Sequence, residues 1–549
     1  MAAVVAAALR VAGAGYGLPN VFNSDEPHLV NVAVSFGSGN LEPHSFKYPT
    51  LWPTALFAAY GAYFLAWSGF GLARAVSEFS ALFAWNPTGF YLIARLLAGA
   101  CALAGAAVVW RLEREHAPEE PNFVPWGALL LAFAPVMIEQ SHAAKPDGMM
   151  FLWACVAWLW ALRLFRDGER RDHWLCGAAI GLALSTQYTA APIAVLLPLA
   201  YALGRKRGPF RWLAEGTAAS LAAFFLGSPY ILLRWGKFLA SMRDFAELGA
   251  IGDSWGGQVP ASVLLNLWNF AGEGSLAGLA ALCGAGILLR SDLRLGLMVV
   301  IPIAAQAAVL SRHPDGLWLR YLAAVFPGLA FLSARGRSSW LRATGPRLGA
   351  VLAAGVVLPG LILSISYVRG LGLPDTRTIA EGWIQTAIPP GSVLLMDYPH
   401  TGPRVVQEKS QLEELAVQTR RAGSPRSRLY RAMADSHPGG GWRVYRILRS
   451  AADLRSNPRQ VVQSQADAAM LDVSRGLGPA REAGVRYVIT SSFGADPSRA
   501  AELAPFFREL HDQGTLIQEF FPRPGKIAGP GLRVFLLPPP ISYTSRRPK

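Results

Sequence analysis

The chain has 549 residues, of which 52% are hydrophobic and 16% charged, with a mean hydropathy of +0.29. Soluble domains average roughly 25% charged residues; here apolar windows of about 18 to 25 residues recur, each long enough to cross a bilayer core of roughly 30 Å, which excludes a soluble enzyme. The net charge of +15 does not argue for nucleic acid, because the basic residues punctuate apolar runs and gather in short loops, where they read as a topology signal.

In chain order, the apolar runs that predict spans are 2–18, 90–110, 123–140, 148–165, 174–186, 188–204, 212–233, 262–289, 295–311, 318–334 and 348–367. A further stretch, 50–70, carries Pro53, Tyr60, Gly61 and Tyr63 after Pro49, which suits an interfacial helix better than a span. The first run carries Arg10 and lacks a small-residue cleavage site, so it reads as an uncleaved anchor. Four connections are rich in arginine: Arg163 to Arg171, Arg205 to Arg211, Arg290 with Arg294, and Arg335 to Arg347. Counting spans puts all four on one side, which the positive-inside rule makes cytoplasmic, together with the N-terminus. The loop 141–147, the segments 234–260 and 312–317 and everything after about 368 then lie outside the cytoplasmic membrane, although Arg234, Lys237 and Arg243 run against the rule. Asp25 joins that side if 50–70 does not span, and the opposite side if it does.

Beyond about 370 the apolar runs shorten to strand length. Asp375 to Ile388 reads as an amphipathic helix stopped by Pro389-Pro390-Gly391. Strands are predicted at Ser392–Met396, Trp442–Ile447, Val485–Thr490, Leu516–Phe521 and Leu532–Leu537, and 418–460 as a mobile basic loop. The four cysteines, Cys101, Cys155, Cys176 and Cys283, sit in apolar runs and suggest no disulfide framework. The fold class expected is therefore a polytopic α-helical membrane protein of about 11 transmembrane helices. Residues 1–369 form the transmembrane domain, with a first outer loop 19–89, and 370–549 an extracytoplasmic α/β domain.

Several polar residues stand out against this background. Asp25-Glu26 follows the first span directly, where a carboxylate can take a proton from an attacking hydroxyl; Asp-Glu-Pro is equally a helix-start signature. Arg95 lies inside an apolar run, where a charge costs at least about 2.5 kcal/mol unless it is paired or snorkels, and Arg can hold a carboxylate or phosphate bidentately. Arg320, beside Tyr321, repeats this placement in a later span. His142, Lys145 and Asp147 form a second polar cluster, in which Lys145 can neutralise a phosphate and Asp147 can instead cap the following helix. One His among separated carboxylates offers no metal-ligand spacing, and no Walker loop, dinucleotide fingerprint or nucleophile elbow is present, so no metal or cofactor is expected.

The order Gly17-Leu18-Pro19, Asp25-Glu26, Phe46-Lys47-Tyr48-Pro49, Arg95, Ser141-His142 with Asp147, and Arg320-Tyr321 resembles the GT-C glycosyltransferases, nearest the bacterial relatives of protein O-mannosyltransferases and the aminoarabinose lipid transferase. Asp375-Thr376-Arg377, Trp383-Ile384 and Gly391-Ser392 resemble the opening of their outer domain. The resemblance implies a polyprenyl-phosphate-linked sugar donor, transfer on the outer face of the membrane with inversion at the anomeric carbon, and membrane lipids as partners. Asp25 and Glu26 would occupy the catalytic position. Arg95 would support their loop, and His142, Lys145, Asp147, Arg320 and Tyr321 would bind substrate. No internal domain of the protein O-mannosyltransferase type is recognisable, which leaves the acceptor open among lipid, glycan and protein. A transporter or flippase for lipid-linked sugars, or a non-catalytic subunit of a glycan assembly system, would use the same polar residues without turnover; a transporter predicts matched halves with interrupted helices, which the sequence does not show.

Overall fold

The computed structural model of the chain describes residues 1–43, 45–72, 75–116, 124–251, 259–311, 319–397, 400–424, 426–448, 469–496 and 501–539. The expected outer loop 312–317 lies outside these residues. Two compact units emerge: Met1–Tyr16, Asp25–Ala62 and Phe90–Arg369 form the first, and Gly17–Ser24, Tyr63–Gly89 and Gly370–Lys549 the second.

The helices of the first part of the chain are α1 (Ala2–Val11), α2 (Glu26–Ser35), α3 (Leu51–Gly69), α4 (Val76–Trp85), α5 (Thr88–His116), α6 (Trp126–Phe133), α7 (Pro135–Ser141), α8 (Asp147–Asp167) and α9 (Arg170–Thr186). They continue as α10 (Leu196–Leu203), α11 (Phe210–Gly227), α12 (Tyr230–Leu233), α13 (Trp235–Ile251), α14 (Val259–Trp268), α15 (Ala277–Ser291), α16 (Leu293–Leu310) and α17 (Phe326–Leu371). Among the described residues, four helices are long and apolar enough to cross a bilayer: Thr88–His116, Asp147–Asp167, Leu293–Leu310 and Arg347–Leu371.

The expected count of about 11 transmembrane helices is not confirmed by these four, because several of the apolar runs are interrupted in the backbone. The run 2–18 is helical only to Val11. The run 123–140 is cut where Ala134 turns extended before Pro135, and 262–289 is split into α14 and α15 around Gly272 and Gly274, both at positive φ. The runs 188–204 and 318–334 begin as 3-10 turns, Tyr188–Val195 and Leu319–Val325, before becoming α-helical. Gly345, with φ 75°, breaks α17.

Backbone groups freed at such breaks need partners where water is excluded. At the α6–α7 break Arg10 Nη1 donates to Ala132 O at 2.9 Å and Ser364 Oγ to Phe133 O at 2.8 Å. Gln306 Nε2 serves both 3-10 turns, donating to Thr189 O at 2.9 Å and Tyr321 O at 2.8 Å, and Trp158 Nε1 donates to Ala324 O at 3.0 Å. Thr50 N, at the start of α3, donates to Ser228 Oγ at 2.9 Å, so the turn after α11 fixes where that helix begins.

The second unit is a six-stranded sheet in the order β3-β2-β1-β4-β6-β5, made of β1 (Val393–Met396), β2 (Arg443–Ile447), β3 (Met470–Leu471), β4 (Tyr487–Ser491), β5 (Thr515–Phe520) and β6 (Leu532–Leu536). β1 to β4 are parallel neighbours and β4, β6 and β5 antiparallel. The period-2 alternation gives two buried faces. Leu394, Met396, Val444, Ile489 and Val534 pack on Ile384 and Ile388 of α18 (Thr376–Ala387) and its end. Leu395, Ile447, Val488 and Phe535 pack on Phe506 and Leu510. Asp375 caps α18, its side chain accepting from Arg377 N at 2.9 Å. The five anticipated strands are present; the two-residue β3 is too short for any alternation to reveal. The described part of 418–460 is not the loop expected. It contains the end of α19 (Lys409–Arg421), α20 (Arg426–Asp435) and β2, while 449–468 lie outside the described residues. Arginines there sit on amphipathic helices whose buried side is short: Leu412, Leu415 and Ala434.

Small residues allow close contact between α9 and α11. A Cβ on Gly177 of α9 would strike Gly216 O of α11, and one on Gly181 would strike Ser220 O. Backbones pack this closely in membranes where side chains are absent. Gly177→Val is therefore expected to cost ~1–3 kcal/mol by overpacking. The readout is a lower unfolding midpoint of detergent-solubilised protein, with Leu175→Val, on the exposed side of the same helix, leaving it in place.

Candidate functional site

The residues singled out in sequence converge within the first unit. Asp25 occupies the N-cap position of α2, yet its side chain makes no cap hydrogen bond. It turns instead to two cations: Lys145 Nζ donates to Asp25 Oδ2 at 2.8 Å, and Arg320 Nη2 reaches the same oxygen at 3.4 Å. Asp25 remains 39% exposed while Lys145 is buried. Partial burial raises the Asp25 pKa, but the ammonium of Lys145 and the guanidinium of Arg320 outweigh it and hold the carboxyl below its ordinary value.

Glu26 has a different environment. It is fully buried and grips Arg95 bidentately, with Nε to Oε1 and Nη2 to Oε2 both at 2.8 Å. Oε1 also accepts from Ala144 N at 2.7 Å. Arg95 Nη1 completes its fork by donating to Ala14 O and Tyr16 O, each at 2.7 Å. One ion pair thus ties the turn after α1, the start of α2, the second turn of α5 and the 142–146 turn. Two adjacent residues diverge in role because the chain enters a helix between them, aiming one side chain inward and the other at the opening.

His142 does not turn toward Asp25. Its Nδ1 meets Ile138 O and its Nε2 meets Ala12 O, both at 2.8 Å, and the ring lies against Tyr367. Burial pushes its pKa below the usual value. Asp147 is 1% exposed and neither carboxylate oxygen has a hydrogen-bond partner among the described residues. It is the first residue of α8 rather than its cap, which Pro146 provides. Asp147 nevertheless acts electrostatically on Arg320 and on Tyr48. Close approach of α5 and α8 fixes this corner: a Cβ on Gly148 would strike Ala98 O, one turn from Arg95. Arg320 also contacts its neighbour Tyr321, Nη2 to Oη at 3.5 Å with the guanidinium 5.2 Å from the ring centroid.

Tyr48, which was not among the expected site residues, joins the site. Burial, then Asp25, Tyr321 and Asp147, push its phenol pKa up, and its ring lies 5.9 Å from that of His28. The signal was its place in the Phe46-Lys47-Tyr48-Pro49 run. The arrangement is an ionised, partly open carboxylate beside two cations, with a second buried carboxylate and two phenols. It can accept a proton from an approaching hydroxyl while the cations hold an anionic group. Among the described residues no group of His, Cys, Asp or Glu is placed to hold a metal ion.

Residues 76–232 match the family model described as dolichyl-phosphate-mannose-protein mannosyltransferase. Among solved structures, the chain is similar to ArnT from Cupriavidus metallidurans in the apo state, with a TM-score of 0.53 at 14% identity, covering 96% of each chain. It is likewise similar to ArnT from Cupriavidus metallidurans bound to undecaprenyl phosphate, with a TM-score of 0.52 at 14% identity over 97% of this chain and 96% of that one. No curated protein matches by sequence.

Removing one partner of a buried ion pair leaves the other uncompensated, a loss of ~3–5 kcal/mol. Glu26→Ala is expected to lower the unfolding midpoint accordingly in scanning fluorimetry, and Glu26→Ala with Arg95→Met to recover part of the loss.

Proposed function

We propose that this GT-C-type membrane glycosyltransferase moves a sugar from a polyprenyl-phosphate donor to an acceptor on the outer face of the cytoplasmic membrane. The observation that carries this reading is the open Asp25 carboxylate, 2.8 Å from Lys145 and 3.4 Å from Arg320. The ArnT relative bound to undecaprenyl phosphate supports a lipid phosphate as the donor's leaving group.

In this mechanism the acceptor hydroxyl hydrogen-bonds to Asp25. As its oxygen attacks the anomeric carbon from the face opposite the phosphate, Asp25 takes the proton, the bond from the anomeric carbon to the phosphate oxygen breaks, and the configuration inverts. The departing polyprenyl phosphate carries the electron pair away, neutralised by Lys145 and Arg320. It is a good leaving group and needs no acid. Glu26 and Arg95 act as positioning residues: they hold the backbone from which Asp25 projects. His142 holds the turn that carries Lys145, and Asp147, with Tyr321, sets the direction of Arg320.

The outer location is supported by the charges at the two ends of α8. Asp147 starts it, and Arg163 and Arg166 end it, a rise of roughly 30 Å for such a helix. At the arginine end, Arg163 pairs with Glu115, Arg170 with Glu215 and Arg205 with Asp292. The positive-inside rule supports reading this end as cytoplasmic and Asp25 as lying on the outer side.

With a labelled polyprenyl-phosphate sugar in membranes, Asp25→Asn is expected to lower transfer ~10²–10⁴-fold, the range for loss of a general base, with donor still bound. Full transfer by this variant sinks the assignment. Because the Asp25 pKa is depressed, activity is kept at neutral pH and lost only as pH falls through a value below the ordinary carboxylate range. Lys145→Met removes a lowering influence, so the acid limb of its kcat profile is expected to move to higher pH.

A further inference from the structure

The residues just before Asp25 belong to the sheet unit. Gly17–Ser24 interrupt the first unit between Tyr16 and Asp25, and both ends of the interruption are bonded to one side chain. Arg95 Nη1 donates to Tyr16 O, while Nε and Nη2 hold Glu26. A short loop with its ends pinned together and its body packed is of the Ω type, a class that is frequently functional.

The loop is shaped from within. Val21 N donates to Gly17 O at 2.7 Å, and Val21 and Gly17 have φ of 54° and 67°. Glycine adopts this region freely, whereas a β-branched valine stays there only where its surroundings over-determine the backbone. Phe22 is 8% exposed and folds back on the neck of the loop, so closely that a Cβ on Gly17 would meet Phe22 Cδ2 at 2.6 Å.

Three side chains of the sheet unit grip it. Arg377, in the first turn of α18, lies over the Phe22 ring with its Cζ 3.4 Å from the centroid. That guanidinium is fixed in place: Asp375 holds Nε and Nη2 at 2.8 and 2.7 Å, and Nη1 donates to His400 O at 2.6 Å. One turn further along α18, Glu381 Oε2 accepts from Asn20 Nδ2 at 2.7 Å. Arg404 donates through Nη1 to Pro19 O at 3.4 Å and through Nη2 to Trp85 O at 2.9 Å, joining the loop to the end of α4.

Asp25 depends on this loop because α2 does not fix it. It stands before the first residue of the helix and its side chain makes no cap bond, so Phe22-Asn23-Ser24 carry the backbone direction into it. Its Oδ2 meets Lys145 at 2.8 Å, and a reacting group displaced by ~1 Å costs on the order of 10²-fold in rate. A segment that only connects two units needs no such fixing, since connecting segments tolerate mobility.

We propose that Phe22 and Asn20 are positioning residues for the transfer reaction: through Arg377, Glu381 and Arg404 the sheet unit holds the strap 17–24 and thereby sets the place of Asp25. This rests on the reading that Asp25 is the base, and it gives the sheet unit a part in the chemistry that does not require it to touch substrate.

The test uses full-length protein in membranes with a labelled polyprenyl-phosphate sugar, measuring kcat and the donor KM below the unfolding midpoint of each variant. Asn20→Asp sets a second carboxylate against Glu381 and is expected to lower kcat ~10- to 100-fold with the donor KM in place. Asn20→Asp with Glu381→Gln restores a donor–acceptor pair and is expected to recover most of the loss. Phe22→Leu keeps an apolar side chain but removes the ring under Arg377, and is expected to lower kcat in the same way; Phe22→Tyr, which keeps the ring, is expected to restore it. The proposal is overturned if Asn20→Asp or Phe22→Leu transfers at the wild-type rate, if either raises the donor KM and leaves kcat in place, or if the double variant stays as slow as Asn20→Asp. Those outcomes leave transfer by the wild type, and so the transferase reading, intact. A wild type that transfers no sugar, or an Asp25→Asn variant that transfers it fully, removes that reading and the positioning role with it.

Discussion

The pair between Arg95 and Glu26 is the constraint on which the site depends. Two charges removed from water are expensive to bury, and their attraction repays that cost only when the remaining donors and acceptors are also filled. Here every nitrogen of the Arg95 fork is engaged, and Glu26 Oε1 takes a backbone N–H as well. The pair therefore works as a clamp on four stretches of backbone, and the charges proposed for the chemistry sit just outside it. Asp25 is one residue from the clamp, and its carboxylate stays partly exposed because its neighbour is the one turned inward.

A second theme is interruption. The helices of the first unit stop short, turn 3-10 or bend at proline and glycine, and each break sets backbone groups loose in apolar surroundings. Arg10, Ser364, Gln306 and Trp158 take up those groups. The breaks are useful: the 3-10 turn Leu319–Val325 presents Arg320 to Asp25, and the α7–α8 turn presents Lys145 to the same oxygen. A uniform bundle of long helices would carry these side chains around its circumference instead of toward one point.

This also explains what was legible in the sequence. Hydropathy located the apolar runs, since burial in lipid and burial in protein demand the same residues, but it could not tell a straight span from one broken at Pro135 or started as a 3-10 turn at Tyr188. The polar residues stood out because apolar runs tolerate so few. Their pairing did not: nothing in the sequence says that Glu26 rather than Asp25 meets Arg95, or that Asp147 lies free of the cap role. The position of 50–70 left it open whether Asp25 and the 141–147 loop share a face, and the 2.8 Å contact between Asp25 and Lys145 brings them together whatever α3 does. In the sheet unit the strands alternate cleanly and were readable, while β3, with two residues, and the arginine-coated helices after β1 lacked that pattern.

The helix Asp147–Asp167 joins a carboxylate at one end to an arginine pair near the other, and its rise of roughly 30 Å matches the hydrocarbon thickness of an average bilayer. A helix with charged groups at both ends absorbs a thicker or thinner membrane chiefly by tilting. Its first residue is Asp147, so tilt at this helix is displacement at the site. Bilayer thickness thereby becomes a mechanical input to the geometry around Arg320, and lipid chain length acts on the protein without contacting the polar groups at all.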